Sequence, residues 1–352
     1  MPLRCSTGVR AMAALPDGGL VSAAADEDIR LWDEGTGELV RTFGSSAAGC
    51  GPVLSLTALG PLDADGSGTS GTCGGPALFA SGCEGGTVLL WDRRAARCVQ
   101  RLSGHVGPVG ALCAIPSQHR FASSSTGEVK LWELRAPDAR RGRSSGRGSA
   151  SAAGPARFVK TLSRHSARAL HTAAITSLAA FPDGSFVSGA LDGSVRVWGR
   201  SGCSGATCVG HADGVLAVVA VGAVAGSLPR YGREWLESHQ QRRRLPEVDG
   251  GLSGGIVASA GLDQEVLLWD SKTGREFGRL VGHGSEILAL ATLPNGAIAS
   301  AGQDALILLW DPLTLCCTQR LVGHTAAVNV LAALAGGRGL ASGSADGTIK
   351  FW

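Results

Sequence analysis

The stretch Leu321–Trp352 reads LVGHTAAVNVLAALAGGRGLASGSADGTIKFW. LVGH closes one extended run and AVNVLAAL forms the next. After the break GGRG comes LASGS, then the turn ADG, then TIKFW. These runs are short and apolar, and Gly, Asp and Asn punctuate them, as strands joined by tight turns require. No segment of the chain sustains a 3.6-residue period, which excludes an all-helical solenoid.

The stretch recurs along the chain. Seven of the eight Trp residues close similar segments: IRLW at Trp32, VLLW at Trp91, VKLW at Trp132, VRVW at Trp198, VLLW at Trp269, ILLW at Trp310 and IKFW at Trp352. The gaps between them are 59, 41, 66, 71, 41 and 42 residues, so a unit of about 41 repeats and insertions widen three of the gaps. One four-stranded unit cannot bury both of its faces; seven in a circle bury each other's.

The pattern of Gly-His, a turn Asp about 21 residues on, and a closing Trp resembles the WD40-repeat family. Gly323-His324, Asp346 and Trp352 carry it in the last unit, Gly282-His283, Asp304 and Trp310-Asp311 in the sixth, and Gly210-His211, Asp263 and Trp269-Asp270 in the fifth. The resemblance covers the chain apart from its insertions. It implies an all-β, seven-bladed propeller with one four-stranded sheet per blade. The chain ends at a third-strand Trp, so Met1–Cys5 are expected to complete the last blade and close the ring, with Gly8–Leu15 as the first inner strand.

The resemblance also assigns the His and Asp residues. In this family Trp, Ser or Thr, His and Asp form a hydrogen-bonded set within a blade. The matching sets are His171, Ser188, Asp192 and Trp198; His211, Ser259, Asp263 and Trp269; His283, Ser300, Asp304 and Trp310; and His324, Ser342, Asp346 and Trp352. The carboxylate would fix the imidazole, the imidazole the hydroxyl, and the hydroxyl the indole N–H. Four units depart from the pattern. The first keeps Ser22, Asp26 and Trp32 without a Gly-His. The second has Gly85 for the Asp and lacks the His. The third has His105 but Thr126 for the Asp and Ala122 for the Ser, with Ser123 reachable by a one-residue deletion. The fourth has Arg164-His165 where Gly-His is expected, although His171 has the right spacing to Asp192. The second and third blades are therefore expected to lose network hydrogen bonds and rigidity.

Composition narrows the function classes. Lys and Arg number 32 against 29 Asp and Glu, a net +3, too balanced to demand nucleic acid or an anionic membrane. Fifty-three Gly fit a turn-rich β protein. The ten Cys are scattered without CxxC or zinc spacing, which reads as unpaired thiols in a reducing compartment, so no metal is expected. The N-terminus has no charged start followed by an apolar run, and no stretch suits a membrane span; an intracellular protein, cytoplasmic or nuclear, is expected. There is no HExxH and no GxSxG. Gly66, Gly68 and Gly71 spell GxGxxG without a strand–turn–helix context. Neither a cofactor nor catalysis is expected.

Three insertions fall within the single propeller domain expected for residues 1–352. Gly60–Pro76 is rich in Gly, Ser and Thr. Leu134–Arg157 holds six Arg against Asp138, which suits a solvated linker, a basic contact or a phosphorylatable segment. Gly222–Gly254 holds Tyr231 and Trp235 ahead of Arg242, Arg243 and Arg244, with a short helix over 233–244 plausible and Trp235 a candidate partner anchor. Strand register places all three on one face.

The leading expectation is a non-catalytic scaffold that binds other proteins or peptides as a monomeric propeller within a larger complex. The resemblance implies binding at the face carrying the second-to-third-strand turns, where Arg10, Leu54, Leu191, Leu216, Leu262, Glu286, Leu288 and Asn329 would flank the channel mouth. Its five Leu would form an exposed apolar ring if all point outward. Two alternatives stand beside it. Ile256–Lys272, IVASAGLDQEVLLWDSK, resembles the receptor box of WD40 substrate receptors of cullin-type ubiquitin ligases, with Asp263, Trp269, Asp270 and Lys272 at its key positions. RNA or anionic-membrane binding through the Arg-rich insertions is the other.

Overall fold

A computed structural model of the chain describes residues 3–5, 7–44, 51–59, 78–134, 156–162, 171–221, 255–334 and 339–352. Twenty-eight strands form seven four-stranded antiparallel sheets, and no α-helix occurs among these residues. Blade 1 contains β2 (Val9–Ala14), β3 (Gly19–Ala24), β4 (Asp28–Asp33) and β5 (Leu39–Gly44). Blade 2 contains β6 (Val53–Ala58), β7 (Leu78–Cys83), β8 (Val88–Asp92) and β9 (Arg97–Leu102). Blade 3 has β10 (Ala111–Ile115), β11 (Arg120–Ser125), β12 (Glu128–Leu134) and β13 (Ala156–Leu162). Blade 4 has β14 (Ile175–Ala180), β15 (Phe186–Ala190), β16 (Ser194–Trp198) and β17 (Ser204–Val209). Blade 5 has β18 (Val215–Val221), β19 (Ile256–Gly261), β20 (Glu265–Asp270) and β21 (Glu276–Val281). Blade 6 has β22 (Ile287–Thr292), β23 (Ile298–Gly302), β24 (Leu306–Asp311) and β25 (Cys316–Val322).

Blade 7 is built from both ends of the chain. Its strands β26 (Val328–Ala333), β27 (Leu340–Ser344) and β28 (Thr348–Phe351) are joined by β1 (Leu3–Arg4). Leu3 pairs with Ile349 and Arg4 with Thr348. The backbone N–H of Cys5 donates to Gly347 O at 2.8 Å. Leu3 is buried with Val9, Leu20, Trp32 and Ile349, so one cluster spans the last and first blades.

Burial falls from the second strand of each blade to the outermost one. β7, β19, β23 and β27 are buried along their whole length, and their sequences, LFASGC, IVASAG, IASAG and LASGS, are apolar or small throughout. A strand covered on both faces needs that composition. The outermost β25 shows six of its seven residues exposed and reads CCTQRLV. Small residues let blades approach closely. A Cβ added at Gly343 would lie 2.6 Å from Val9 Cγ1 of the next blade, and one at Gly189 would lie 2.7 Å from Val215 Cγ1.

Six of the seven innermost strands share one irregularity. The pairing register slips between Val9 and Ala11, Val53 and Ser55, Ile175 and Ser177, Val215 and Ala217, Ile287 and Ala289, and Val328 and Val330. Each slip is a β-bulge that leaves one residue out of the ladder. Those residues are Arg10, Leu54, Thr176, Leu216, Leu288 and Asn329.

Residues 60–76, 135–155 and 222–254 lie outside the described residues, and so do the Arg-rich run and Trp235. Two ends of the expected second insertion differ from expectation: Leu134 closes β12, and Ala156 and Arg157 open β13. Residues 60–76 and 222–254 each follow a first strand, and 135–155 follow a third. The described strand ends next to them share one face, opposite the second-to-third-strand turns.

Candidate functional site

Four blades carry a chain of hydrogen bonds in which the carboxylate comes from the second-to-third-strand turn. In blade 4, His171 Nδ1 faces Asp192 Oδ1 at 3.3 Å, Ser188 Oγ donates to His171 Nε2 at 2.7 Å, and Trp198 Nε1 donates to Ser188 Oγ at 2.8 Å. In blade 5 the corresponding distances are 2.6 Å for His211–Asp263, 2.6 Å for His211–Ser259 and 2.7 Å for Trp269–Ser259. Blade 6 gives 2.9, 2.7 and 2.7 Å for His283–Asp304, His283–Ser300 and Trp310–Ser300. Blade 7 gives 3.0, 2.7 and 2.8 Å for His324–Asp346, His324–Ser342 and Trp352–Ser342. A neutral imidazole with its proton on Nδ1 satisfies every member: Nδ1–H donates to the carboxylate and Nε2 accepts from the hydroxyl. The carboxylate also accepts the N–H of the residue after the His, as Thr172 does to Asp192 at 2.6 Å and Thr325 to Asp346 at 3.0 Å. Each Asp thus ties two loops of one face together.

The electrostatics follow from this wiring. Burial alone would raise the Asp192 carboxyl, but the Ser194 hydroxyl, the Thr172 and Ser194 N–H groups and His171 hold it well below the usual carboxylate range. Asp346 is held down in the same way against its burial, by Thr348, the Thr325 N–H and His324. Burial lowers His171 despite Asp192, which keeps the imidazole neutral and the carboxylate charged.

Blade 3 corrects the expectation that its network is lost. His105 Nδ1 meets Glu128 Oε1 at 2.9 Å, Ser123 Oγ donates to His105 Nε2 at 2.7 Å, and Trp132 Nε1 donates to Ser123 Oγ at 2.8 Å. Thr126 stands at the usual Asp position. Glu128, two residues on, reaches back with its longer side chain. Ser194 and Thr348 occupy that second place in blades 4 and 7, where they donate to Asp192 and Asp346 at 2.6 Å. The sequence signal was a carboxylate two residues late with one extra methylene.

Blade 1 resolves its missing His differently. Cys5 stands four residues before Val9, as His324 does before Val328, and its thiol hydrogen-bonds Ser22. Burial raises the Cys5 thiol, opposed by Arg30 and by that hydrogen bond. Trp32 Nε1 donates to Ser22 Oγ at 2.8 Å, and Asp26 turns to Arg30 at 2.5 Å. In blade 2, Trp91 Nε1 donates to Ser81 Oγ at 2.8 Å.

A Ser–His–Asp order invites comparison with a nucleophile relay. Here Ser188, Ser259, Ser300 and Ser342 are 0% exposed, and each oxygen already accepts an indole N–H. No electrophile can reach them.

Among the described residues, a cavity opens at the inner strands on the face these tetrads support, here called the channel mouth. This cavity of about 440 Å³ is lined by Pro108, Gly110, Ser125, Thr126, Ala174, Ile175, Thr176, Leu216, Leu288 and Asn329. Four of the bulged inner-strand residues, Thr176, Leu216, Leu288 and Asn329, therefore face one space together with Gly110, which stands at the same place in blade 3. Leu216, Leu288 and Asn329 were anticipated from the sequence. Gly110 and Thr176 were missed, although each follows an apolar residue at the start of its blade, Val109 and Ile175, as Leu216 follows Val215. The expected apolar ring is interrupted there. Leu54, Leu216, Leu262 and Leu288 are half-buried, and Leu191, in a turn, is 45% exposed. Arg10 is exposed; Glu286 is half-buried and accepts from Gln303 at 2.8 Å.

The bulge also links blades. Asn329 Nδ2 donates to Val9 O at 2.8 Å, and Thr176 Oγ1 to Val215 O at 2.6 Å. Ser55 Oγ does the same for Val109 O at 3.0 Å. Side chains at or next to the bulge thus give the first inner-strand carbonyl of the next blade a donor.

The residues of the ligase-receptor resemblance run from the second-to-third-strand turn of blade 5 to the turn after β20. Asp263 and Trp269 belong to the blade 5 tetrad. Asp270 is 4% exposed and accepts the Lys272 and Thr273 N–H groups at 2.8 and 3.3 Å. Lys272 is exposed. Among the described residues no cluster of three or more His, Cys, Asp or Glu could hold a metal ion, and no helix is long and apolar enough to cross a membrane.

A model described as WD domain, G-beta repeat (WD40) matches residues 3–33, 96–133, 157–199, 274–311 and 315–352. The unmatched stretches include most of blade 2, which lacks the His and Asp, and blade 5, which an insertion splits. The chain is similar to a ribosome biogenesis protein WDR12 homolog of Chlamydomonas reinhardtii, 31% identical over 134 residues, 36% of this chain and 26% of that protein. It is similar to a guanine nucleotide-binding protein subunit beta of Oryza sativa subsp. indica, 31% identical over 120 residues, 33% of this chain and 28% of that protein. A subunit beta of Saccharomyces cerevisiae is 26% identical over 226 residues, 59% of this chain and 47% of that protein. The matches span between about a quarter and a half of the length of these relatives. Seven radial sheets, the Trp–Ser–His–carboxylate chains and these matches together make the chain a member of the WD40-repeat family.

Proposed function

We propose that the chain is a non-catalytic interaction scaffold that holds a segment of a partner protein at the channel mouth. One observation carries the proposal: bulged residues from several blades converge on a cavity of about 440 Å³. That volume falls within the range of sites that enclose a ligand or a few side chains. The tetrads support the role by pinning the surrounding loops, so the face is fixed before a partner arrives and less ordering entropy opposes binding. Proteins captured by the tagged chain, compared with those captured by the double variant Leu216→Asp, Leu288→Asp, test the reading. Partners bound at this mouth drop out with the double variant. An unchanged set of partners, with the variant still folded by circular dichroism, sinks it.

A further inference from the structure

We infer that the outer seam between blades 1 and 2 is an anion-binding surface that takes an acidic segment of a partner protein, through its carboxylate or phosphoserine side chains. The seam lies on the rim, at the end of the blades away from the channel mouth, so the inference stands apart from the reading above.

Four arginines meet there. Arg41 and Arg101 stand opposite Leu31 and Leu89 on their third strands. Both leucines belong to the cluster shared by blades 1 and 2, so both arginines face that seam. The turn between β8 and β9 reaches the same place: Arg41 Nη1 donates to the Arg94 carbonyl at 3.3 Å. Asp92 stands across the ladder from Arg97, and its Oδ1 accepts the Arg94 and Ala95 N–H groups at 2.8 and 3.1 Å. That ties down the turn, which carries Arg94 and leads into Arg97. Arg41, Arg94, Arg97 and Arg101 are all exposed.

Among the described residues no carboxylate pairs with Arg41, Arg94 or Arg97, whereas Arg93 pairs with Asp17, Arg157 with Glu133 and Arg279 with Glu265. The acidic turn of blade 1, with Glu34 and Glu38, leans the other way: a Cβ at Gly37 would lie 3.2 Å from Leu3 Cδ2 in blade 7. Asp63 and Asp65, between β6 and β7, lie outside the described residues. Guanidinium groups gathered at one seam repel each other, and an anion relieves that repulsion while accepting their paired N–H donors.

The surroundings select a peptide. Val40, left out of the ladder at the bulge beside Arg41, is 54% exposed and offers an apolar contact next to the charge. A single-stranded nucleic acid needs aromatic rings on which its bases stack. The rings at this seam, Phe43, Phe79 and Trp91, are buried.

Fluorescence anisotropy on the intact chain, Asp63 and Asp65 included, tests the inference. The probes are a labelled peptide alternating Glu with Val and its phosphoserine counterpart. Saturable binding of either, weakening as salt rises, is expected. Arg94→Glu with Arg97→Glu should weaken it about 10-fold or more and keep the melting temperature within about 2 °C. Arg320→Glu, on the exposed outer strand of blade 6, should leave binding unchanged, and so should Leu216→Asp with Leu288→Asp. Loss with that channel-mouth variant seats the peptide at the mouth, which overturns the seam and leaves the proposed function standing. Equal loss with Arg320→Glu reduces the binding to net charge and overturns the seam too. If neither peptide binds, the seam is already neutralised and the inference fails. Single-stranded RNA or phosphatidylserine vesicles that bind through Arg94 and Arg97 more tightly than both peptides overturn the class of partner.

Discussion

Blades 1 and 3 both depart from the repeat, and the structure repairs them in opposite ways. Blade 3 keeps the imidazole and replaces the carboxylate: Glu128 reaches His105 from two residues beyond the usual place. Blade 1 keeps the carboxylate and loses the imidazole. Cys5 meets Ser22 where a ring would stand, and Asp26 pairs with Arg30. In both, the buried indole N–H still finds its serine, at 2.8 Å. The demand that persists is satisfaction of the buried donor, not the identity of the residues beyond it.

The largest test of this contrast deletes the serine in a complete blade and in a substituted one. Ser300→Val strands the Trp310 N–H and His283 Nε2 together, and should cost about 2–5 kcal/mol in denaturant unfolding. Ser22→Val strands the Trp32 N–H against a thiol that needs no partner, and should cost about 1–3 kcal/mol. Equal losses would mean that the imidazole adds nothing to the chain of bonds.

A second experiment moves the carboxylate. Glu128→Ala should destabilise the protein by about 1–2 kcal/mol, because His105 Nδ1–H loses its acceptor. Adding Thr126→Asp with Glu128→Ser copies the blade 4 arrangement of Asp192 and Ser194, and should recover most of that loss. If the double change recovers nothing, the Glu is held by something other than the imidazole.

Acid should separate the blades further. Burial keeps His105 and His171 below the 6.5 of a free imidazole. The unfolded chain therefore takes up those protons first, and stability is full above about pH 6.5 and declines as pH falls. Asp192 and Asp346, held below 3.8, add a second decline below about pH 4. Amide exchange should rise first in blades 3 and 4 as pH drops below about 6.5, while blade 1, with a thiol in that place, holds. Uniform exchange across the blades would refute this.

The gentlest probe leaves stability alone. Burial pushes the Cys113 and Cys208 thiols up to about 12, whereas Cys203, Cys316 and Cys317 are exposed. Iodoacetamide on the native protein should label the exposed three and spare the buried two, as read by peptide mass spectrometry. Early labelling of Cys208 would contradict the packing of blade 4.

Much of the fold was legible because its punctuation is local. The Trp ending each third strand, the Gly-His before the first strands of blades 3, 5, 6 and 7 and the turn Asp are set by nearest neighbours, and they gave the blade count. Glu128 was not legible, because a reach of one methylene across a turn changes no spacing. Cys5 was hidden because a thiol in a fixed register looks like any buried Cys. The channel mouth was half legible. Leu216, Leu288 and Asn329 follow from counting along inner strands, but the bulge that lifts those positions out of the ladder is visible only once neighbouring strands are paired. Gly110 and Thr176 were passed over because neither carries an apolar side chain that a search for anchors would notice.

That bulge has a consequence for how such a molecule can diversify. A side chain standing outside the ladder contributes little to holding its own sheet, so it can be exchanged without disturbing the blade behind it. Arg10, Leu54, Leu216 and Leu288 then behave like the pins of a tumbler lock, each set separately while the barrel stays the same. Changing one pin alters which key turns, and leaves the metalwork intact.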